Sequence, residues 1–508
     1  MPAISFNAHD LNFLLPEIFI ALSAISILLI GLFLKEDSEK SFKLVVKLSA
    51  LALFACIFTL LPLINIEPTL IFSKMLIVDD FASVMKVILM LASACVLLIS
   101  VRFMIDERMH RFEYPVLILF SILGMMLMLS ANSLLMMYLA LELQALPLYI
   151  LAAWRRDYIK STEAGLKYFI LGALSSGIML LGMSYIYGVV GALEFKAIEQ
   201  YINQSAISPM LMVGMAFMMA GMAFKLAAAP FHMWSPDVYE GAPTPVTAFF
   251  AIVPKLAGIG LFIRLCFEAF GGDATRVYEV NGPLFPTDAW QQIGIAIGLL
   301  SILIGSVAAI AQNNIKRLLA YSSIGHIGFV VLAIATGSKI GIQYAILYMI
   351  IYMITSLGIF ALVLSLRRDE NDQPAKFIVD LSGIAKPYPL AALAMTIFML
   401  SMAGIPFLAG FFAKFFVLQA VVNAGYIWLA VIAVLASVVS AYYYLRIIKI
   451  MYFEEMSEKV KMTPIGSEKA VVIFCALFCV LFITIVTPVT NFAKIGAESL
   501  AIIPNPEK

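Results

Sequence analysis

Long apolar stretches separated by short polar loops run along the whole chain of 508 residues. A helix that crosses a bilayer needs about 20 mainly apolar residues, and a window of that length indicates about fourteen spans. Their approximate limits are 11–34, 43–65, 77–101, 114–131, 132–153, 163–190, 208–230, 243–267, 290–312, 316–336, 340–366, 388–423, 425–452 and 470–492. The pattern therefore predicts an all-α polytopic membrane protein.

Two of the predicted spans contain helix-breaking residues. Span seven ends in Ala-Ala-Ala-Pro230, and span twelve contains Gly404, Pro406 and Gly410. Proline removes a backbone donor, and non-helical backbone at membrane depth is tolerated only inside protein or beside an aqueous cavity. Both spans are predicted to be broken helices. Paired broken helices in two halves of a chain are typical of transporters with inverted repeats.

The composition agrees with a membrane protein and adds an orientation. With 63% hydrophobic and 13% charged residues, the chain cannot be a water-soluble globular protein. A net charge of +1 argues against a nucleic-acid-binding protein. Outside the spans, most Lys and Arg residues lie in loops that follow odd-numbered spans. The positive-inside rule makes those loops cytoplasmic, so both termini are predicted to face the periplasm.

Five lysines lie inside the apolar spans, and they are the first candidates for function. These are Lys86, Lys167, Lys225, Lys255 and Lys414. A charge at the bilayer centre costs about 2.5–3.5 kcal/mol on insertion scales and usually marks a functional site. Burial favours the neutral amine, so such a lysine can exchange protons, whereas arginine cannot. The mid-span positions indicate a proton relay for three of them: Lys225, Lys255 and Lys414. The position of Lys167 fits a relay or a structural role equally. The position of Lys86 indicates a structural role.

Glu142 is predicted to be the only acidic residue deep in the membrane, and its expected partner is Lys225. A buried Glu–Lys pair can release a proton when one partner is neutralised or moves away, although a permanent structural ion pair is the alternative. His232 and His326 are the only histidines predicted at membrane depth. Neutral imidazole can pass a proton between its two nitrogens, and an ordinary hydrogen-bonded core histidine is the other interpretation.

Motifs for other energy sources are absent from the sequence. It contains no G-x-x-x-x-G-K-[ST] loop for ATP, no dinucleotide-binding glycine motif between a strand and a helix, and no cysteine set for an iron–sulfur cluster. We therefore expect no cofactor and no metal on this chain. The five cysteines all fall in apolar spans, where they are expected to be small core residues.

Three runs of the sequence resemble a known family: residues 161–173, 225–246 and 313–326. Each closely resembles the subunit N family of bacterial NADH-quinone oxidoreductase, the respiratory complex I, and the likeness extends over about the whole chain. The lysine at 414 fits subunit N or related antiporter subunits, because the sister subunit M looks to have glutamate at that position.

The resemblance implies a proton pathway along the membrane midplane and two inverted five-helix repeats. It implies N-terminal helices in residues 1–113, repeats in 114–270 and 290–453, and a last helix with its tail in 454–508. The implied pathway starts at Glu142 and Lys225, continues through Lys255 and His326, and ends at Lys414. NADH, FMN, iron–sulfur clusters and quinone would belong to other subunits, with subunit M and small membrane subunits as neighbours in the bacterial inner membrane.

Three functions remain open at this point. The first is a proton-pumping subunit of NADH-quinone oxidoreductase, which couples electron transfer in other subunits to proton translocation. The second is a subunit of a multisubunit cation/proton antiporter, which shares the buried lysines but uses an ion gradient. The third is a scaffold that contributes helices and conducts nothing.

Overall fold

The computed structural model describes residues 10–35, 38–205, 208–271, 289–368, 373–456, 460–462 and 466–500. Both chain ends lie outside these ranges. The prediction that both termini face the periplasm therefore concerns residues outside the described part of the chain.

The chain up to residue 271 forms eleven α-helices among the described residues. They are α1 Asp10–Phe13, α2 Leu15–Phe33, α3 Glu39–Leu60, α4 Asp80–Asp106, α5 Glu113–Leu129, α6 Leu134–Ala152, α7 Ile159–Val190, α8 Phe195–Gln204, α9 Pro209–Lys225, α10 Trp234–Gly241 and α11 Thr244–Arg264. A single π-helical turn, Leu265–Ala269, continues α11. Several of these helices begin at a side chain that caps free backbone N–H groups, which explains their sharp starts; Asp79, for example, accepts from Ala82 N at 2.8 Å.

The described residues after 288 form seven further α-helices. They are α12 Ala289–Ile310, α13 Ile315–Ala335, α14 Lys339–Leu364, α15 Pro389–Ala403, α16 Ala409–Asn423, α17 Ile427–Phe453 and α18 Gly466–Ser499. Eleven described helices are long and apolar enough to cross a membrane. With α5, α9 and the pair α15–α16, all fourteen predicted spans coincide with helices.

Two short antiparallel strand pairs were not predicted. Strands β1 Thr69–Ile71 and β2 Leu76–Val78 pair with each other, as do β3 Leu366–Arg368 and β4 Val460–Met462. Each strand is three residues long, which is too short for the period-two pattern that identifies strands in a sequence. The all-α class holds for the spans, and the strand pairs lie in the connections between helices.

Both predicted helix breaks are present. Helix α9 ends at Lys225 and the chain resumes as α10 at Trp234, while α15 ends at Ala403 and α16 begins at Ala409. At the second break Gly404 has φ +87°, a left-handed conformation that favours glycine. These two breaks place the C-terminal end of a short helix inside the bundle.

Helices α11 and α14 form the centre of the bundle. Each is an apolar span that other parts of the protein bury completely, and α13 beside them is almost as enclosed. Helix α14 also packs against α16 and α18, and α13 packs against α12 and α16. Lys255 on α11 and His326 on α13 are therefore enclosed by protein and not by lipid.

Candidate functional site

The structure brings Glu142, on α6, and Lys225, at the end of α9, to the same place. The Lys225 Nζ–Glu142 Oε1 distance is 3.8 Å, and Ser176 of α7 lies between the two groups. Lys225 donates to Ser176 Oγ at 3.1 Å, and Ser176 donates to Glu142 Oε1 at 2.5 Å. The predicted pair is thus bridged by a hydroxyl, a group that can both accept and donate a proton.

The first break leaves backbone groups that neighbouring side chains satisfy. Ser301 Oγ on α12 accepts from Ala229 N at 2.8 Å, and the Trp234 indole donates to Phe224 O at 3.0 Å. These contacts hold non-helical backbone inside the protein without unpaired polar groups at those atoms. Because α9 ends at this break, Lys225 lies in its last turn. The negative end of the helix dipole stabilises a cation there.

The Lys255 amine is buried among mainly apolar side chains, and its described contacts are one hydroxyl and one aromatic ring. Only 2% of the residue is exposed. Its Nζ donates to Ser323 Oγ on α13 at 2.6 Å and lies 5.7 Å from the centre of the Tyr239 ring. The salt bridges of the described residues include none to Lys255, so nothing there compensates a full positive charge on its amine.

His326 is one turn further along α13 than Ser322 and Ser323, and it contacts two tyrosines. Its Nδ1 lies 2.7 Å from Tyr348 Oη on α14, and its Nε2 lies 3.0 Å from Tyr444 Oη on α17. Tyr444 Oη is also hydrogen-bonded to Ser322 Oγ. The imidazole is therefore hydrogen-bonded on both sides to hydroxyls that can act as donor or acceptor.

Lys414, on α16, lies against the second break. Its Nζ donates to Ala403 O at 2.9 Å and to Ser437 Oγ of α17 at 2.7 Å, and it lies 5.5 Å from the centre of the Phe329 ring. A Cβ atom at position 404 would lie 2.9 Å from Lys414 Cδ, so Gly404 leaves the room that the lysine occupies. The Lys414 amine therefore lies against the C-terminal end of α15, where the negative end of the helix dipole stabilises a cation.

Lys167 and His232 lie apart from this enclosed group. Lys167 is partly exposed and forms ion pairs with Glu163 at 2.6 Å and with Asp237 at 2.8 Å. His232 lies in the connection between α9 and α10, and its ring faces Tyr321 with 6.3 Å between ring centres. Neither residue has a direct contact with Lys225 or Lys255 among those described.

Helix α10 carries two carboxylates that join α7 to α13 beside Lys167. Burial would raise the pKa of Asp237, but hydrogen bonds from Lys167 and Arg317 outweigh it and hold that pKa below its ordinary value. The pKa of Glu240 is lowered in the same way, with burial opposed by Lys160 and Arg317. Arg317 Nη1 contacts both carboxylates, at 2.6 Å and 3.1 Å.

Lys86 forms an ion pair that accounts for its position. Its Nζ lies 2.5 Å from Glu17 Oε1 and donates to Ser130 Oγ at 2.6 Å, and both charged side chains are almost fully buried. Glu142 is not the only enclosed carboxylate, because Glu17, Asp79 and Glu268 are also buried in the bundle; that Glu142 alone lies deep in the membrane stays a prediction. They lie near the ends of their spans, where sequence alone indicates the membrane interface.

Several polar partners of the predicted residues could not be identified from the sequence. Ser176, Tyr348, Tyr444 and Ser437 contact the predicted residues, yet serine and tyrosine are common in such helices and carry no charge that would single them out. Lys316, the first residue of the predicted span 316–336, is buried and donates to Ala242 O at 2.6 Å. The pairing of helix faces would have been needed to find these residues.

No group of three His, Cys, Asp or Glu side chains able to hold a metal ion is present in the part of the chain that the structure describes. All five cysteines are free thiols, and four of them are buried. The polar groups in contact with Lys225, Lys255, His326 and Lys414 include hydroxyls and a carboxyl group, which suit proton transfer.

Comparisons with known proteins place these features in a family. Residues 131–440 match the family described as NADH:quinone oxidoreductase/Mrp antiporter, TM. The chain is 44% identical over 498 residues to NADH-quinone oxidoreductase subunit N of Rhodospirillum rubrum, covering 98% of this chain and 99% of that one. It is 46% identical over 450 residues to the subunit N of Pelagibacter ubique, covering 88% and 91% of the two chains.

Solved structures agree with these relatives. A chain of respiratory complex I from Thermus thermophilus with bound aureothin is 29% identical, with a TM-score of 0.77 over 94% of this chain and all of that one. A chain of the Mrp complex from Dietzia sp. has a TM-score of 0.81 over 97% of this chain and 98% of that chain at 20% identity, which shows a shared fold alone. By sequence and by fold, the chain belongs to the subunit N family of NADH-quinone oxidoreductases, within the antiporter-like membrane proteins.

Proposed function

We propose that this chain is a proton-translocating membrane subunit of an NADH-quinone oxidoreductase in a bacterial cell membrane. Electron transfer from NADH through FMN and iron–sulfur clusters to quinone belongs, in this proposal, to other subunits. The neighbours in the membrane are an adjacent antiporter-like subunit M and the small membrane subunits. This chain contributes the proton-carrying groups and takes part in the enzyme as a translocase subunit.

The observation that carries the proposal is the set of buried amines that are bonded to hydroxyls. Lys255 and Lys414 each contact a serine Oγ, and Lys225 contacts Glu142 through Ser176. A buried amine bonded to a hydroxyl, and not paired closely with a carboxylate, has a small difference in free energy between its charged and neutral forms. Such a group can change its protonation state when a nearby charge moves.

The proton path that we propose runs from the Glu142–Ser176–Lys225 group to Lys255, then to His326 and on to Lys414. Lys167 and His232 lie closer to the surface that we assign to the cytoplasm, and we place them on the entry side. The first repeat of the pathway is assigned to residues 114–270 and the second to 290–453. Both chain termini are assigned to the periplasmic side.

We assign the chain to an oxidoreductase driven by electron transfer, and not to an antiporter driven by an ion gradient. The relatives at 44–46% identity carry the name of the oxidoreductase subunit, whereas the likeness to the Mrp complex is one of fold. No feature of the described residues favours the antiporter assignment over the first.

The test substitutes the two members of the first pair in the assembled enzyme. We expect Lys225→Met and Glu142→Gln to assemble but to pump several-fold fewer protons, because either change removes a proton-carrying group from the path. Proton uptake into vesicles and NADH oxidation with quinone are measured together, and electron transfer to an artificial acceptor reports assembly.

Matched controls come from an exposed pair on α3. Lys43 and Glu39 form an i,i+4 ion pair at 3.1 Å with about half of each side chain exposed. Lys43→Met and Glu39→Gln should leave pumping unchanged, since exposed pairs of this kind contribute little. Unchanged pumping in the Lys225 and Glu142 variants would instead support the scaffold function.

A further inference from the structure

A second charged cluster lies away from the proposed proton path. It consists of Arg264 at the end of α11, Glu268 in the π-helical turn that follows, and Asp79 at the start of α4, and we name it the Arg264 cluster. Arg264 Nη2 lies 2.6 Å from Asp79 Oδ1, and Nη1 lies 2.6 Å from Glu268 Oε1. All three residues are at most 1% exposed.

The cluster holds two carboxyl groups and one cation. The third donor of Arg264, its Nε, goes to the carbonyl oxygen of Leu129 at 2.5 Å and so neutralises no charge. Ionising both carboxyl groups would leave one uncompensated negative charge inside the protein. Such a charge is strongly unfavourable in a low-dielectric interior, and a buried group relieves it by binding a proton.

The surrounding charges do not supply the missing cation. The nearest amine on α4, Lys86, is already paired with Glu17. On α8, which packs over the π-helical turn, Lys196 is paired with Glu199 at 2.6 Å. Asp80, next to Asp79, adds a further carboxylate and accepts from Asn65 N at 2.6 Å.

Helix geometry decides which carboxyl group takes the proton. Asp79 caps the N-terminus of α4 and accepts from Ala82 N at 2.8 Å as well as from Arg264. The positive end of a helix dipole favours a carboxylate there. Glu268 follows the C-terminal end of α11, where the dipole disfavours a negative charge. One oxygen of each carboxyl group, Glu268 Oε2 and Asp79 Oδ2, has no hydrogen-bond partner among the described residues, so the helix ends and the bond from Ala82 N decide between the two groups.

We propose that Glu268 is a binding site for one exchangeable proton, held at the side of the membrane to which the termini are assigned. Glu199 lies on α8, which packs against the π-helical turn, and its side chain is 13% exposed. We take it as the carboxyl group that connects Glu268 to water. Protons exchange between Glu268 and bulk water by way of Glu199. A role for this site as an outward proton acceptor rests on the proposed pumping function, whereas its occupancy by a proton does not.

The test compares infrared absorption of the assembled enzyme with and without Glu268. In Glu268→Gln, the neutral isostere of the acid, we expect the loss of one carbonyl stretch of a protonated carboxylic acid at neutral pH. The matched control is Glu17→Gln, which removes a buried carboxylate that has its own lysine; there we expect the loss of a carboxylate band and no loss of an acid band. An unchanged acid band in Glu268→Gln would overturn the proposal.

Asp79→Asn provides a second variant with a different prediction. Removal of Asp79 leaves Arg264 and Glu268 as a one-to-one pair, so Glu268 should ionise and the same acid band should disappear. Persistence of that band in Asp79→Asn would contradict the charge argument. If the Asp79 variant does not assemble, the comparison of Glu268→Gln with Glu17→Gln still decides the proposal.

Exchange with water is read from the shift of the acid band in heavy water. We expect the shift in the parent enzyme and a several-fold slower shift in Glu199→Gln, because the route through α8 is lost. An equal rate in the two proteins would overturn the role of Glu199. Loss of the acid band on replacing potassium by sodium at constant pH would identify a sodium site and overturn the proton assignment.

The infrared result is independent of pumping. If Lys225→Met pumps normally but Glu268→Gln loses the acid band, the proposed function fails and the proton site stands. If Lys225→Met fails to pump and no acid band is lost in Glu268→Gln, the reverse holds.

Discussion

On the proposed path between His326 and Lys414, the Phe329 ring beside the Lys414 ammonium has no group that can carry a proton. Hydroxyls on α17 can carry one. Ser437 contacts Lys414, Ser440 is one turn further along, and Tyr444 contacts His326. Ser437, Ser440 and Tyr444 are spaced by three and four residues, so they share one face of the helix. Water between these hydroxyls would complete a relay that avoids the ring.

We expect Tyr444→Phe to lower proton pumping several-fold while the enzyme assembles. The substitution removes a hydroxyl that contacts both His326 and Ser322 and keeps the ring that fills the core. The associated loss of stability is about 1 kcal/mol, the usual value for one hydrogen bond. Pumping is measured in vesicles together with NADH oxidation.

The control for this prediction is Tyr442→Phe on the same helix. Tyr442 is more than half exposed and points away from the core, so its hydroxyl should not affect pumping. Equal pumping by the Tyr444 and Tyr442 variants would exclude Tyr444 from the path.

At the scale of elements, the break between α15 and α16 depends on the absence of a side chain at Gly410. A Cβ atom there would lie 1.8 Å from the carbonyl oxygen of Ser401 and 3.0 Å from its Oγ. We expect Gly410→Ala to force α16 away from α15 and to destabilise the protein by about 1–3 kcal/mol, the usual range for overpacking. A lowered melting temperature of the purified enzyme and a reduced yield of assembled complex are the measurements.

Gly177 on α7 serves as the matched control for Gly410. A Cβ atom at Gly177 would have nothing within 4 Å, and alanine is a better helix former than glycine. Gly177→Ala should therefore leave the melting temperature unchanged or raise it. Equal effects of the two substitutions would mean that the contact with Ser401 is not what limits position 410.

The contacts of α10 with α7 and α13 should weaken in acid. The pKa values of Asp237 and Glu240 are lowered in the folded protein, so the stabilisation they give is complete above the ordinary carboxyl pKa of about 4. It is lost as the pH falls below that value and passes through the lowered folded-state pKa values. Hydrogen exchange of the α10 amides, corrected for intrinsic rates, should rise over that range.

The controls for the α10 prediction are two asparagine substitutions. Asp237→Asn should remove part of the pH dependence at α10, whereas Asp157→Asn should not, because Asp157 is almost fully exposed. Protection of α10 that does not change between about pH 6 and about pH 3 would contradict the prediction.

Hydropathy and helix-breaking residues were sufficient to predict the spans, the two breaks and the partnership of Glu142 with Lys225. The partnership was predictable because a buried carboxylate needs a cation and few are available. The Ser176 bridge, the tyrosines around His326 and the Arg264 cluster were not predictable, since each depends on how helices distant in sequence are rotated against one another. Asp79 and Glu268 are 189 positions apart in the chain, and only the packing of α4 beside α11 brings them to one guanidinium.

For the molecule as a whole, the positive-inside rule predicts which surface faces the cytoplasm. Arg156, in the loop between α6 and α7, should be cytoplasmic, while Asn203 on α8 should be periplasmic. Both positions are exposed.

Four of the five natural cysteines are buried and Cys95 is partly so, which keeps background labelling low. We expect a membrane-impermeant thiol reagent to label Asn203→Cys in intact spheroplasts and Arg156→Cys only in inverted vesicles. Labelling of both variants from the same side would contradict a single crossing of the membrane by α7. The reverse labelling pattern would place Glu199 and the Arg264 cluster on the cytoplasmic side. Glu268 could then receive protons from the cytoplasm but could not release them outward.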